Sequence, residues 1–291
     1  MEPSIKKVAA IHDLSGFGRA SLCSIIPTLS TMGVQVCPVP TAILSTHSGG
    51  FEGYTFHDLT DTMEAYADHW KSLQLNFDCI YSGFLGSPRQ IEIVRKMIGD
   101  FRQPNTLVVV DPVMGDDGSL YSSISKEMVP QMRRLISSAD IIVPNFTEAA
   151  FLLEQDPSRT QLDLDTLKNW LRQLSDLGPK TVLITSAPDS AHPERISVLA
   201  YERDTDTFWK ISSKDLKDSY PGTGDVFASV MIGGLLWGDS LPIAIDRSVQ
   251  FISQCIKASS SYDYPKRDGV LLERELPLLR NTTLIGSYEQ I

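Results

Sequence analysis

The sequence predicts an α/β protein with a mostly parallel central sheet flanked by helices on both faces. Two observations carry this. Short, β-branched apolar runs alternate with longer segments of helical period, the rhythm of strand, helix, strand. The clearest run, NTLVVVDPV (Asn105–Val113), is apolar on both faces until Asp111, as a strand covered from both sides must be.

In chain order, VAAI (Val8–Ile11) is a strand and GRASLCSIIPTLSTMG (Gly18–Gly33) a helix that carries a proline. QVCPVPTAIL (Gln35–Leu44) is a strand whose prolines place it at an edge. The spacing then predicts a helix over 57–75, a strand over 77–86 ending in glycine, and a helix over 87–101 opened by Ser87 and Pro88. Helices follow over 125–139, 145–155 and 164–178, with strands at 105–113, 140–145 and 181–187. ISVLAYERDTDTFWKIS (Ile196–Ser212) reads as an antiparallel hairpin turning at Asp204–Asp206, and the last third is helical. YDYPKRDGV (Tyr262–Val270) is the best loop. No repeat, low-complexity segment or linker divides the chain, so residues 1–291 are read as one domain.

Composition excludes several classes. A chain of 291 residues with 42% hydrophobic content buries a sizeable core. The formal charge of −10 disfavours nucleic-acid backbones and anionic membranes as partners. Four cysteines (Cys23, Cys37, Cys79, Cys255) without a CxxC pair fit free thiols in a reducing cytosol, not a disulfide framework or a zinc site. No window approaches the length of a membrane span. The expectation is a cytoplasmic globular protein.

Polar residues follow five of the expected strands. Ile11 precedes His12-Asp13, Leu44 precedes Ser45 to Ser48, Val110 precedes Asp111, Val143-Pro144 precedes Asn145, and Ile184 precedes Thr185-Ser186. In a parallel sheet ligands gather at the carboxyl ends of strands, so these tips are read as one rim of a cleft.

The strongest local signal is DSYPGTGDVFASVMIGGLL (Asp218–Leu236). Gly222-Thr223-Gly224 allows backbone N–H groups to converge on an anion at a helix start. Asp225 in the first turn is placed to accept a proton from an attacking hydroxyl. The plain alternative, at even weight for a bare GTGD, is a turn with a capping aspartate. DPVMGDDG (Asp111–Gly118) offers Asp111 and Asp116 to a metal, directly or through water. Asn145 and Glu148 stand three apart on one face of a starting helix, which suits either a phosphate–metal site or a cap. STHSGGF (Ser45–Phe51) suits a small polar ring or a solvated loop. The chain has no Walker A match, and SGFGRA (Ser15–Ala20) is a flexible turn, not a dinucleotide fingerprint.

Seven segments in order, HDLSGFGRASL, STHSGGFEGYTF, YSGFLGS, VVDPVMGDDGSLY, VPNFTEAAFLL, ITSA and YPGTGDVFAS, resemble the ribokinase-like superfamily and, within it, the vitamin B6 kinases. The resemblance runs from Val8 to about Ala258. It implies a ribokinase-like fold and transfer of phosphate from ATP to the 5′-hydroxymethyl group of pyridoxal, pyridoxamine or pyridoxine. It also implies Mg²⁺, a monovalent cation such as K⁺, and a homodimer. Asp225 is implied as the general base, with Gly222, Thr223 and Gly224 as the anion hole. Asp111, Tyr121, Asn145, Glu148, Thr185, Ser186 and Thr223 are implied to bind ATP, with Asp111, Asp116 and Glu148 around the metal. His12, Asp13, Ser48, Phe84 and Asp225 are implied to meet the substrate.

One stretch departs from this pattern. His12-Asp13-Leu14-Ser15-Gly16 stands where many pyridoxal kinases carry Gln-Ser-His, and it looks more like the hydroxymethylpyrimidine kinases of thiamine synthesis. That activity is the alternative within the enzyme class. A non-catalytic B6 or nucleotide binder is the alternative outside it.

Overall fold

The structure is a computed structural model that describes residues 5–159, 161–280 and 288–291. The first half of the chain forms β1 (Lys7–Phe17), α1 (Leu22–Thr31), β2 (Gln35–Thr46), β3 (Phe56–Asp58), α2 (Thr60–Ser72), β4 (Cys79–Ser82), α3 (Pro88–Phe101) and β5 (Leu107–Val110). Next come β6 (Gly115–Asp116), β7 (Ser119–Leu120), α4 (Met128–Ile136), β8 (Ile141–Ile142), α5 (Phe146–Leu152) and α6 (Leu164–Asp176). The remainder is β9 (Thr181–Pro188), β10 (Arg195–Glu202), β11 (Thr207–Lys214), α7 (Thr223–Leu236), α8 (Leu241–Ser260), α9 (Leu272–Glu275) and β12 (Tyr288–Gln290). The architecture is the expected mixed α/β fold, a mostly parallel sheet flanked by helices. Among the described residues, no helix is long and apolar enough to cross a membrane.

The chain falls into two compact units, Met1–Ile80 with Leu216–Gly286, and Tyr81–Asp215 with Ser287–Ile291. In the first, β1 and β2 run parallel from the pair Lys7 and Gln35, and β3 adds antiparallel along Ala42–Leu44 only. The proline-bearing part of β2 (Pro38, Pro40) therefore has β1 on one side and no β3 on the other, which is where residues lacking an N–H are tolerated. Helix α7 is buried nearly all round, from Val226 to Gly234. A helix apolar on every side belongs to a core and is held rigidly.

In the second unit β5, β8 and β9 are parallel, and β9, β10 and β11 continue antiparallel. The hairpin turn falls where the sequence places it, on Arg203–Thr205, with Asp206 left-handed at φ 47°. Helix α3 also begins as expected, with Ser87 accepting the Gln90 N–H and proline following.

Two strands run past their expected ends. Strand β1 continues through His12 and Asp13 to Phe17, and β2 includes Ser45 and Thr46, while β9 holds Thr185 and Ser186 within the expected span. His12-Asp13 and Thr185-Ser186 are strand members at bulges, not tips. Between His12 and Leu14 the β2 partner gains one residue, and Thr185 and Ser186 face the single residue between Ser197 and Leu199 on β10. Ser186 takes φ 54° there. A bulge breaks the polar–apolar alternation and re-aims side chains, which is why a polar pair inside a strand reads as its end.

Candidate functional site

The start of α7 carries the first cluster. Gly222 is the residue before the helix at φ 78°, and a Cβ there would lie 2.0 Å from the Arg19 carbonyl oxygen. Only glycine fits, by conformation and by space. Gly224 has no such need: its backbone is helical and a Cβ would meet nothing within 4 Å. The two glycines expected to share one conformational job thus split it. Gly222 makes the turn, and Gly224 leaves open space over the first N–H groups of the helix, where an anion is favoured. The Thr223 hydroxyl is spent locally, donating to the Tyr220 carbonyl at 3.0 Å.

Asp225 does not cap its own helix. Its Oδ2 accepts the backbone N–H of Ser21 at 2.8 Å, and no side chain caps α7. The carboxyl is only 13% exposed. Burial raises its pKa to about 7, the Ser21 N–H opposes that rise, and the negative charge of Asp13 adds to it. Asp13 is itself buried and pushed upward by burial, with the Ser21 and Ser15 hydroxyls restraining the shift. Ser21 Oγ donates to one Asp13 oxygen and Ser15 Oγ to the other. His12 is fully buried, and burial holds its pKa down at about 3, so the ring is neutral. Its Nδ1 lies 3.7 Å from Asp225 Oδ1, which is proximity and not an ion pair. Of the residues expected to meet a substrate, His12, Asp13 and Asp225 are brought together.

Ser48 is exposed on the loop after β2. The neighbouring His47, read in the sequence as part of a stretch that suits a small polar ring or a solvated loop, anchors that loop. Gly49 N–H donates to His47 Nδ1, so Nε2 carries the proton and donates to the Arg267 carbonyl at 2.7 Å. A Cβ on Gly18 would strike the His47 ring at 2.3 Å. Arg19 continues the seam, pairing with Glu273 and donating to the Asp268 carbonyl. Ser21 and Arg19 were also missed. The available signal was a serine directly before the first apolar run of a helix, in a stretch read as already helical from Gly18.

The second unit holds the other cluster. Asn145 and Glu148 form a reciprocal capping box at the start of α5, each accepting the other's N–H at 2.9 Å. The capping alternative is therefore realised, and it reaches further. Glu148 Oε1 accepts Met114 N–H at 2.9 Å and Asn145 Nδ2 donates to the Gly115 carbonyl at 2.8 Å, tying α5 to the segment after β5. Glu148 is buried. Burial drives its pKa upward, backbone N–H groups of Asn145, Met114 and Gly115 draw it back, and Asp116 pushes it up again. Asp117 and Gly118, both at positive φ, make the tight turn between β6 and β7. Asp116 is exposed beside that turn, Asp111 is buried at the end of β5, Tyr121 is 40% exposed and Phe84 half-buried. Thr185 N–H donates to the Pro144 carbonyl, which sets the bulge of β9 beside Asn145.

Among the described residues no three His, Cys, Asp or Glu side chains gather as a ready cation cage. Mg²⁺ needs only one or two carboxylates when phosphates and waters supply the rest. The oxygen donors of Asp111, Asp116 and Glu148 fit that mode and not a cation enclosed by protein alone.

The sequence matches the phosphomethylpyrimidine kinase family over residues 23–269. The chain belongs to that family. It is a kinase, and the resemblance to the ribokinase-like B6 kinases holds. A Bacteroides thetaiotaomicron protein, provisionally named a phosphomethylpyrimidine kinase and crystallised with pyridoxal, is 51% identical over 99% of this chain and 100% of its own, with a TM-score of 0.95. Pyridoxal kinase from Lactobacillus plantarum is 30% identical over 95% of this chain and 97% of its own, with a TM-score of 0.85. Pyridoxal kinase of Dictyostelium discoideum is 29% identical over 80% of this chain and 78% of its own.

Two substitutions separate the glycines of this family member. Gly222→Ala carries a left-handed penalty of about 1–2 kcal/mol before any clash with Arg19 is counted, so its thermal midpoint falls clearly in a melting scan. Gly224→Ala leaves the midpoint near that of the unaltered protein. Asn145→Ala removes a cap and the Gly115 tie, and is expected to cost about 1–2 kcal/mol in denaturant unfolding.

Proposed function

We propose that this kinase transfers the γ-phosphoryl group of ATP to the 5′-hydroxymethyl group of a vitamin B6 vitamer. The observation that carries this is Asp225, a carboxylate poised near neutrality at the start of a buried helix, behind a glycine turn. The likeness to pyridoxal kinases, and to a protein crystallised with pyridoxal, supports the choice of acceptor.

In the proposed step Asp225 takes the proton of the acceptor hydroxyl as its oxygen bonds to the γ-phosphorus. The bond from that phosphorus to the bridging oxygen breaks, and its electron pair leaves on ADP. The first N–H groups of α7, behind Gly222 and under the open space at Gly224, stabilise charge on the transferring group. A metal ion supplies charge neutralisation on the phosphates when bound. Asn145 and Glu148 serve the nucleotide by fixing the Met114–Gly115 backbone, and a Mg²⁺ ion bound beside Glu148 would draw its raised carboxyl back to the charged form. Thr185, Ser186 and Tyr121 are assigned to the nucleotide, with Ser48 and Phe84 on the acceptor side. K⁺ is assigned as the auxiliary cation.

A hydroxymethylpyrimidine acceptor is the second reading, favoured by the Asp13-Leu14-Ser15-Gly16 stretch and by the family match. Turnover measured in parallel with pyridoxal, pyridoxamine, pyridoxine and hydroxymethylpyrimidine decides between them. Activity on the pyrimidine alone would overturn the B6 assignment, and absence of all turnover would favour a binding protein.

The pKa of Asp225 sets the pH dependence. A base with a pKa near 7 is protonated and idle below that value, so kcat/KM rises through about pH 7 and then levels. Asp225→Asn should lose about 10²–10⁴ in kcat. Its stability moves the other way. A raised carboxyl pKa means the favourable contribution is complete below the unfolded value near 4 and is lost as pH rises through about 7. The asparagine variant, with no charge to bury, should therefore melt at least as high as the unaltered protein at pH 8. EDTA should abolish turnover and added Mg²⁺ restore it.

A further inference from the structure

We propose that Ser21 is the positioning residue of the general base, with its hydroxyl bound to Asp13 so that its N–H aims at one oxygen of Asp225. This rests on the assignment of Asp225 as the base given above.

All three polar groups of Ser21 are engaged. Its N–H donates to Asp225 Oδ2 at 2.8 Å, its hydroxyl donates to Asp13 Oδ1, and its carbonyl accepts from Ser24 and Ile25 at 2.9 Å each. The residue is 7% exposed. Its backbone is held at φ 51°, ψ −134°, a conformation that glycine takes freely and serine does not. A chain that needed only the turn would be served better by glycine. What serine adds is the hydroxyl, and the hydroxyl goes to Asp13. Strained backbone that is held from several sides is a recurrent feature of functional sites. Here the strain has a direct use, because it points the N–H at α7. Gripping Oδ2 leaves Oδ1 to receive the proton.

Asp13 is then the outer member of a relay of position, not a ligand for substrate. Its carboxylate is 5% exposed and both oxygens accept serine hydroxyls. The other titratable groups around the pair come from β1, from the loop after β2 and from α1. From β1 comes neutral His12. After β2 comes His47, whose pKa is lowered by burial and raised by its bond to Arg267 and by Asp13 and Asp268. From α1 comes Cys23, whose thiol is pushed up by burial and then by the charge of Asp13. Among these, Asp13 is the group whose charge bears on Asp225.

The test is the pH profile of kcat/KM, with kcat and the acceptor KM, for Ser21→Ala, Ser21→Gly, Asp13→Asn and Asp225→Asn. Ser21→Ala should lower kcat roughly tenfold, as a loosened base does, and hold KM within about twofold. Its acid limb should move to lower pH, because Asp13 without its donor takes up a proton and ceases to repel charge on Asp225. Asp13→Asn should move the limb the same way. Ser21→Gly, which relieves the strained torsion and keeps the N–H, should melt higher yet show the same kcat loss and limb shift. Wild-type kcat and an unmoved limb in Ser21→Gly, alongside an inactive Asp225→Asn, would overturn the role of Ser21 while leaving the base in place. A fully active Asp225→Asn would instead overturn the base, and this proposal with it.

Discussion

One hydrogen bond organises the first unit of this kinase, the N–H of Ser21 to the carboxylate of Asp225. It joins the residue before α1 to the first turn of α7, two helices that also pack on one another. Each is near the positive end of its dipole there, and both carboxylates, Asp13 and Asp225, lie at the start of α1. That placement offsets part of the cost of burying two acids close together. Because α7 is surrounded by core on every side, Asp225 cannot relax away from its partner without moving the helix. The geometry of this carboxylate is thus fixed by packing, and its charge by the neighbours that packing brings.

Those neighbours are chosen to leave Asp225 weakly acidic. A cation beside it would hold the carboxylate low and make it a poor base, yet the nearest basic side chain, His12, is buried deeply enough to be neutral. His47 is likewise kept low by burial and locked in one tautomer by Gly49 and Arg267. The cationic side chain of Arg19 is turned outward to Glu273. Burial raises the acid, one N–H restrains it, and no full positive charge cancels the rise. The result is a carboxyl with a pKa of about 7, as the proposed role of proton acceptor requires.

The sequence carried the fold well because its periodicity is unambiguous where the core is thick. Strand β5 and helix α3 fall where apolar runs and the Ser87-Pro88 start place them. It carried the site less completely, for physical reasons. His12-Asp13 and Thr185-Ser186 look like strand ends because a bulge interrupts alternation in the same way as a terminus does. Gly222 and Gly224 look equivalent because composition cannot show that one has a positive φ and the other an ordinary helical backbone. Ser21 was invisible as a partner of Asp225 because the two are separated by 204 positions and meet through a backbone N–H, which every residue but proline possesses.

The second unit solves a related problem differently. Glu148 is also a buried acid, but it is held by backbone N–H groups of Asn145, Met114 and Gly115 rather than by one donor. Capping and ligand binding were alternatives when only the spacing of Asn145 and Glu148 was known. In the folded chain the cap is what shapes the segment from Asp111 to Gly118, so a phosphate site built on that segment would depend on the cap instead of competing with it. Burial drives the Glu148 carboxyl toward its neutral form, which lessens the repulsion a bare carboxylate would bring to a phosphate held on that segment. Under the proposed function a divalent ion beside Glu148 would favour its charged form, so the same two residues could close a helix and serve a metal-bound nucleotide.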